Sequence, residues 1–428
     1  PGPRAGTAVG IALLHGLEGL HRQAHLLQIV DAPPGANAYE ITVTKSGFTT
    51  DKTYVPTVAN PNPIKRHATV LVQQVTQISF VIDRVSLANI STITDTCAVV
   101  PSVPFTMTGA KLIGTSPDLY KFNQTLSTDS SGKKIIANLE WDTYSITLGS
   151  GAFSLAGVNP LLPVSVLPNA VQDIQFVLTA DNPSHLLVTV KDSATNLPLS
   201  GATVTFEDGS FSKTLITGRG FLEQTDWIGG SGQSNFIDTT KYFSSDGNIN
   251  VGNPSGTLSL VSSFGTYSSV GELTSSIFDT GTTTNFNQIS WTPLSQPPQT
   301  GLGNVKMQLA TAFANTASTT WSYLGPDGTG STFYDVSDTN INAIHSGDRF
   351  FRYKAYLATA NATATPTLAN IAVAFTSSCI PPGQVMFSEL NPGTYTMTVA
   401  KSGYASVQMV IPIASNSWQQ QEVILIPQ

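Results

Sequence analysis

Hydrophobic and polar residues alternate with a period of two along most of the chain. The alternation is clear in YEITVTKSGF from Tyr39, QISFVIDRV from Gln77, DTYSITL from Asp142 and DIQFVLTA from Asp173. It recurs in HLLVTVKD from His185, GATVTFED from Gly201, GTYTMTVAKSGY from Gly393 and QEVILIP from Gln421. A period of two puts every second side chain on one face, so a sheet of such strands is apolar inside and polar outside. Turn residues separate the runs at Ser131-Gly132, Asp208-Gly209, Asp246-Gly247, Asp327-Gly328 and Pro392-Gly393. Short, regularly spaced strands of this kind predict an all-β chain of tandem β-sandwiches.

One pattern occurs twice. Lys45-Ser46-Gly47-Phe48 and Lys401-Ser402-Gly403-Tyr404 each follow a Tyr-led strand, Tyr39 to Thr44 and Tyr395 to Val399. A third Tyr strand runs from Tyr144 to Leu148. Each is followed by a closing strand, at Gln77–Ile82, Asp173–Leu178 and Gln421–Ile426. Three such endings imply three repeated units. The first, 32–85, lacks its early strands, and the second fills 86–180. The third opens at His185, and its ending appears only after Cys379. The expected domains are therefore 32–85, 86–180 and a discontinuous sandwich of 185–229 with 379–428, interrupted by an insert at 230–378. Residues 1–31 follow a different pattern. Leu13, Leu17, Leu20, Ala24 and Leu27 stand at helical spacing, while Gly10, Gly16 and Gly19 weaken a helix. A short irregular or helical segment is expected there.

The units resemble the carboxypeptidase regulatory-like repeats, which are small transthyretin-like β-sandwiches. The resemblance is carried by Asn196-Leu197-Pro198-Leu199-Ser200-Gly201-Ala202-Thr203-Val204, Leu390-Asn391-Pro392-Gly393-Thr394-Tyr395 and Lys401-Ser402-Gly403-Tyr404. It is weakest in the second unit, where Glu140-Trp141-Asp142 replaces the Pro-Gly turn. The insert resembles galactose-binding-like jelly rolls through Leu273, Phe278-Asp279-Thr280-Gly281, Trp291, Trp321, Arg352-Tyr353-Lys354 and Thr365-Pro366-Thr367-Leu368. Residues 35–428 together resemble bacterial secreted surface proteins of pilin-like export type. The Gly-Phe-Thr-Leu-Ile-Glu mark of a prepilin leader is not in the sequence.

Composition narrows the setting. Charged residues are 11% of the 428, with 35 Gly and 26 Pro, and Ser, Thr and Asn fill polar positions. An ordinary soluble domain has about 25% charged residues. The net charge is -7 and there is no basic cluster, which argues against nucleic-acid binding. No run of 18 apolar residues stands in the chain, so no membrane span is expected. The two cysteines, Cys97 and Cys379, are too few for a disulfide framework. A single clasp between them and two separate thiols are both open on sequence alone.

Candidate chemistry is sparse. His15 and Glu18 match a zinc-carboxypeptidase spacing, but no catalytic domain or third ligand accompanies them. His21 and His25 stand at i and i+4, yet Arg22 occupies the place of the general base of a zinc protease. Asp279-Thr280-Gly281 resembles half of an aspartic-protease dyad; the chain has no second copy to share the proton, a homodimer would supply one, and the jelly-roll reading uses the run as a strand entry. Asp246, Asn248 and Asp327 offer loop oxygens for a structural Ca²⁺, with ordinary Asx turns as the competing reading. Trp321 and Tyr323 offer an aromatic platform for sugar stacking, against the commoner role of strand aromatics as core. Trp291 alternates with Ile289 and is expected to be buried.

These readings converge on a non-enzymatic cell-surface or secreted protein, a semi-rigid β stalk that presents a ligand-binding jelly roll. Surface glycans or other surface and pilus proteins are the expected partners. A carbohydrate-binding accessory module of a secreted enzyme is the alternative.

Overall fold

The computed structural model describes residues 35–71, 76–149, 152–181, 184–209, 211–232, 239–252 and 254–428. The expected N-terminal segment 1–31, with His15, Glu18, His21 and His25, lies outside the described residues. The fold is all-β. Among the described residues the only helices are two 3-10 turns, Pro298–Thr300 and Ala343–His345. The chain divides into two compact units. One comprises Pro1–Ser91, Pro101–Gly151 and Pro160–Gln175, the other Thr92–Val100, Ala152–Asn159 and Phe176–Gln428.

In the first unit, one sheet has the order Asn123–Ser127, Pro104–Gly109, Asp142–Leu148, Val164–Val166. Its inward positions Phe105, Met107, Tyr144 and Ile146 are buried, as their alternation dictates. The strand Lys133–Leu139 pairs antiparallel with Ser86–Ile93 from Lys133↔Ser91 onward. The Tyr144 hydroxyl donates to the Glu140 carbonyl at 2.7 Å. Ahead of these, Gly35–Tyr39 pairs with Ala68–Val70 and Thr42–Val43 with Asp51–Lys52. The expected closing strand Gln77–Ile82 carries no ladder. Its neighbours accept through side chains instead: Val81 N–H donates to Asp51 Oδ2 and Asp83 N–H to Thr49 Oγ1. Side-chain acceptors of this kind end a segment's backbone accounting without a sheet.

In the second unit, His185–Asp192 lies between Gln384–Phe387, antiparallel, and Trp418–Leu425, parallel. A second sheet runs Ser212–Ile216, Thr203–Glu207, Gly393–Ala400, Val407–Ile413. The two sheets share one apolar core: Leu186, Val188, Val204 and Phe206 from the earlier segment, Phe387, Tyr395, Val399 and Leu425 from the later. Tyr395 stacks on Phe206 with ring centroids 4.5 Å apart, and its hydroxyl donates to the Asn391 carbonyl at 2.9 Å. Burying aromatics of this size supplies about 1.5–3 kcal/mol each.

A larger sheet belongs to the residues between. It follows the order Gly220–Gln224, Asn370–Thr376, Phe278–Thr292, Asp348–Ala358, Val270–Ser275, Lys241–Ser245, Gly230–Ser231, and Val305–Ala312 also pairs with Asp348–Ala358. Gly220–Gln224, which falls before the expected boundary at 229, is thus bonded to Asn370–Thr376, which falls within the expected 230–378. Trp227 is buried in the same core as Leu273, Trp291, Leu309 and Tyr353. Its Nε1–H donates to the Tyr353 hydroxyl at 2.8 Å, which donates to Gln224 Oε1 at 2.7 Å.

Several contacts fasten the second unit's remaining segments. Cys97, at the turn of the Thr94–Ala98 hairpin, is disulfide-bonded to Cys379, with Cα atoms 5.4 Å apart. Beside it, Gly281 at φ +79° lies so close to the Thr96 carbonyl that a Cβ would stand 1.5 Å from the oxygen. The buried Gln384 amide donates to Val158 O at 2.7 Å and accepts from Val158 N–H at 3.0 Å, and Trp418 Nε1–H donates to Leu155 O at 2.8 Å.

Candidate functional site

The Asp348–Ala358 strand turns Phe351, Tyr353, Ala355 and Leu357 into the core. Period two then sends Arg352, Lys354 and Tyr356 to the other face. The register sets Ala310, Gln308 and Lys306 across from them on one side, and Thr274 and Glu272 beside Lys354 and Tyr356 on the other. This outer face gathers polar and aromatic groups into one cluster.

The segment 321–334 lies alongside, bridged to the edge strand at Leu309↔Leu324 and Met307↔Tyr334. It brings its rings over the cations of the sheet. The Arg352 guanidinium lies 4.3 Å from the Phe243 ring and 5.2 Å from Trp321. Lys354 Nζ is 5.0 Å from the Tyr323 ring and 2.7 Å from Glu272 Oε1. Tyr356 donates to Gln308 Oε1 at 2.9 Å and meets Phe333 edge-on at 5.1 Å. The Gln308 amide donates to the Gly330 and Thr332 carbonyls, fixing the loop. Such cation–ring contacts contribute about 0.5–2 kcal/mol each, more as they lose water.

Electrostatics follow burial. Arg352 donates twice to the Ser275 carbonyl, and burial lowers the guanidinium's proton affinity, with Tyr323 opposing. Burial raises the Tyr323 phenol; Glu272 adds to this, while Arg352 and a hydrogen bond with Thr274 oppose. Burial, with Glu272 and Tyr323, pushes Tyr356 up to about 12. Tyr323 and Tyr356 therefore keep their protons at neutral pH. Neither is poised as an acid or base.

The structure brings Trp321 and Tyr323 together on this face, half-buried, each with a cation against its ring. It does not bring Asp246, Asn248 and Asp327 into a cation cage. Asp246 Oδ1 accepts from Asn248 N–H at 2.8 Å, and Asn248 Nδ2 donates to Asp246 Oδ2. Asp327 accepts from Thr329 N–H, Thr329 Oγ1 and Thr332 Oγ1, and these bonds, Thr332 first, hold its carboxyl below the usual range. Each carboxylate stabilises its own turn. Among the described residues no group of three or more His, Cys, Asp and Glu is placed to hold a metal ion. Asp279 makes a bidentate pair with Arg349 at 2.6 and 2.7 Å and accepts from Gly281 N–H, so the Asp-Thr-Gly run is an irregular stretch of the Phe278–Thr292 strand held by an arginine. Trp291 is 5% exposed.

Sequence reasoning missed Phe243, Gln308 and Phe333. Their signal was available only in part: Arg352, Lys354 and Tyr356 alternate with apolar residues and mark a polar outer face. Which loop covers that face is not encoded locally.

No family model matches the chain, and no curated protein matches it. Solved structures of pilins align with it remotely. A shaft pilin of Lactobacillus rhamnosus GG is 9% identical, over 80% of this chain and 97% of the pilin, with a TM-score of 0.16. A streptococcal ancillary pilin is 11% identical, over 88% of this chain and 73% of the other, at 0.18. The minor pilin of Streptococcus agalactiae is 8% identical, over 80% and 96%, also at 0.18. Likeness this remote carries no functional argument.

Proposed function

We propose that the chain is a non-enzymatic surface or secreted protein whose β-sandwiches act as a spacer carrying the insert. The observation that carries this reading is how the insert is held. The backbone leaves the third sandwich at Gly218 and returns at Gln384, and Gly218 N–H donates to the Gln384 carbonyl at 3.0 Å. The guest therefore hangs from adjacent points of one host, clasped by the Cys97–Cys379 bond. On this reading the host comprises about 185–219 and 379–428 and the insert about 220–378, ahead of the boundary expected from sequence. A disulfide persists where no reducing pool operates, which favours an extracellular setting. Partners on this reading are surface glycans or other surface and pilus proteins. Thiol trapping tests the setting: protein taken from its own cells under alkylating conditions should yield a Cys97–Cys379 linked peptide. Alkylated free thiols at both positions would reject the extracellular placement.

A second reading, a carbohydrate-binding accessory module, is favoured by Trp321 and Tyr323 beside the hydrogen-bonding Lys354, Glu272 and Gln308. The full chain on a glycan array decides it. Binding lost by at least tenfold in Trp321→Ala supports it, and no binding to any sugar removes it.

A further inference from the structure

We propose that the Cys97–Cys379 disulfide is a tension bypass, which keeps the insert folded when the chain is pulled from its two ends. The bond joins positions 282 residues apart. A pull on the chain passes from Cys97 straight to Cys379, and the backbone from 98 to 378 carries none of it. That sheltered stretch holds the whole insert core, including Trp227, Leu273, Trp291 and Tyr353. It also holds the strands from Pro104–Gly109 to Val171–Ala180, and the opening strands His185–Asp192 and Thr203–Glu207 of the third sandwich.

The strands that follow Cys379 are different. Gln384–Phe387, Gly393–Ala400 and Trp418–Leu425 join the sheltered strands through hydrogen-bond ladders and packing alone. Tension can strip them away. It cannot then thread past Cys379 into the insert, because the covalent path closes there. Local packing braces the junction. Cys379 is 6% exposed, and Gly281 is pressed against the Thr96 carbonyl one residue from Cys97. The Thr94–Ala98 hairpin is closed by Thr94 N–H to Ala98 O and Cys97 N–H to Thr94 O. The bond thus joins two fixed backbone positions instead of tethering a loose loop.

A binding module that must stay folded while tension reaches the two ends of its spacer has use for such a path. That use rests on the spacer reading, whereas the bypass itself does not. The two can fail separately: thiol trapping reads the setting, and stretching reads the path.

The test is single-molecule stretching of the full chain, with handles at residues 1 and 428, first without and then with dithiothreitol. At about 3.5 Å per extended residue, the bond hides about 1,000 Å of chain. The oxidised protein should reach full extension about 1,000 Å short of the reduced one. The Cys97→Ser, Cys379→Ser double variant should match the reduced protein. Equal lengths with and without reductant overturn the proposal. If the double variant does not fold, the stretched wild-type protein answers alone. Reductant should then release a sudden lengthening of the same size. Its absence, with both thiols shown free by alkylation, overturns the bypass.

Discussion

At Gly281 a single hydrogen separates a tolerated contact from a collision. Its φ of +79° already disfavours a side chain, and the Thr96 carbonyl fills the place of a Cβ. Gly281→Ala is expected to cost more than about 3 kcal/mol, since the strain of about 1–2 kcal/mol for the left-handed backbone is joined by displacement of the hairpin. Gly347, at φ +93° with nothing within 4 Å, provides the control, and Gly347→Ala should cost only about 1–2 kcal/mol. Denaturant midpoints compare the two. His345 predicts a pH dependence. Its ring is buried, Thr311 Oγ1 lies 3.1 Å from Nδ1, and Nε2 has no hydrogen-bond partner. Burial pulls its pKa from 6.5 down to about 4, with Asp348 opposing. The unfolded chain therefore takes up this proton first as pH falls. The stability contributed by the neutral ring is complete above pH 6.5 and is lost as pH falls toward 4, by on the order of 3 kcal/mol. His345→Gln should flatten that part of the profile in urea titrations between pH 7 and 4.

Between elements, what decides stability is which strand meets which. The Gln384 amide closes two hydrogen bonds on Val158. Gln384→Leu should remove both buried hydrogen bonds and lower stability by about 2–3 kcal/mol, while Gln419→Leu on a half-exposed position should change it by less than about 0.5. The alternating runs from Asp142, His185 and Gly393 were legible because period two is a local property. So was the repeated Tyr strand. Tyr144 and Tyr395 both bond a carbonyl four residues back, although Glu140-Trp141-Asp142 replaces the Pro-Gly turn in the second unit. Pairing is not local. Gln77–Ile82 alternates as well as Asp173–Leu178 does, yet gains no ladder, because a strand's partner is not written in its own pattern. Gly220–Gln224 likewise bonds Asn370–Thr376, a partner its own pattern does not name. Trp321 and Tyr323 could be named from sequence, but the cations beneath their rings could not.

For the whole chain, covalent topology and hydrogen-bonded topology reinforce each other. Closing a loop of this length should make the disulfide worth about 3–5 kcal/mol, so the Cys379→Ser variant is expected to unfold at clearly lower denaturant than the oxidised protein, and reductant should bring the wild type to the same midpoint. The parallel pairing of His185–Asp192 with Trp418–Leu425 has a further consequence for biogenesis. A ribosome adding roughly 5–20 residues per second places the second strand on the order of ten to fifty seconds after the first. Until Gln384–Phe387 emerges, shortly before that second strand, the apolar Leu186, Val188 and Val190 have no ladder partner, so a nascent-chain binding factor that shields extended hydrophobic segments should crosslink there, and release them as the two later strands emerge.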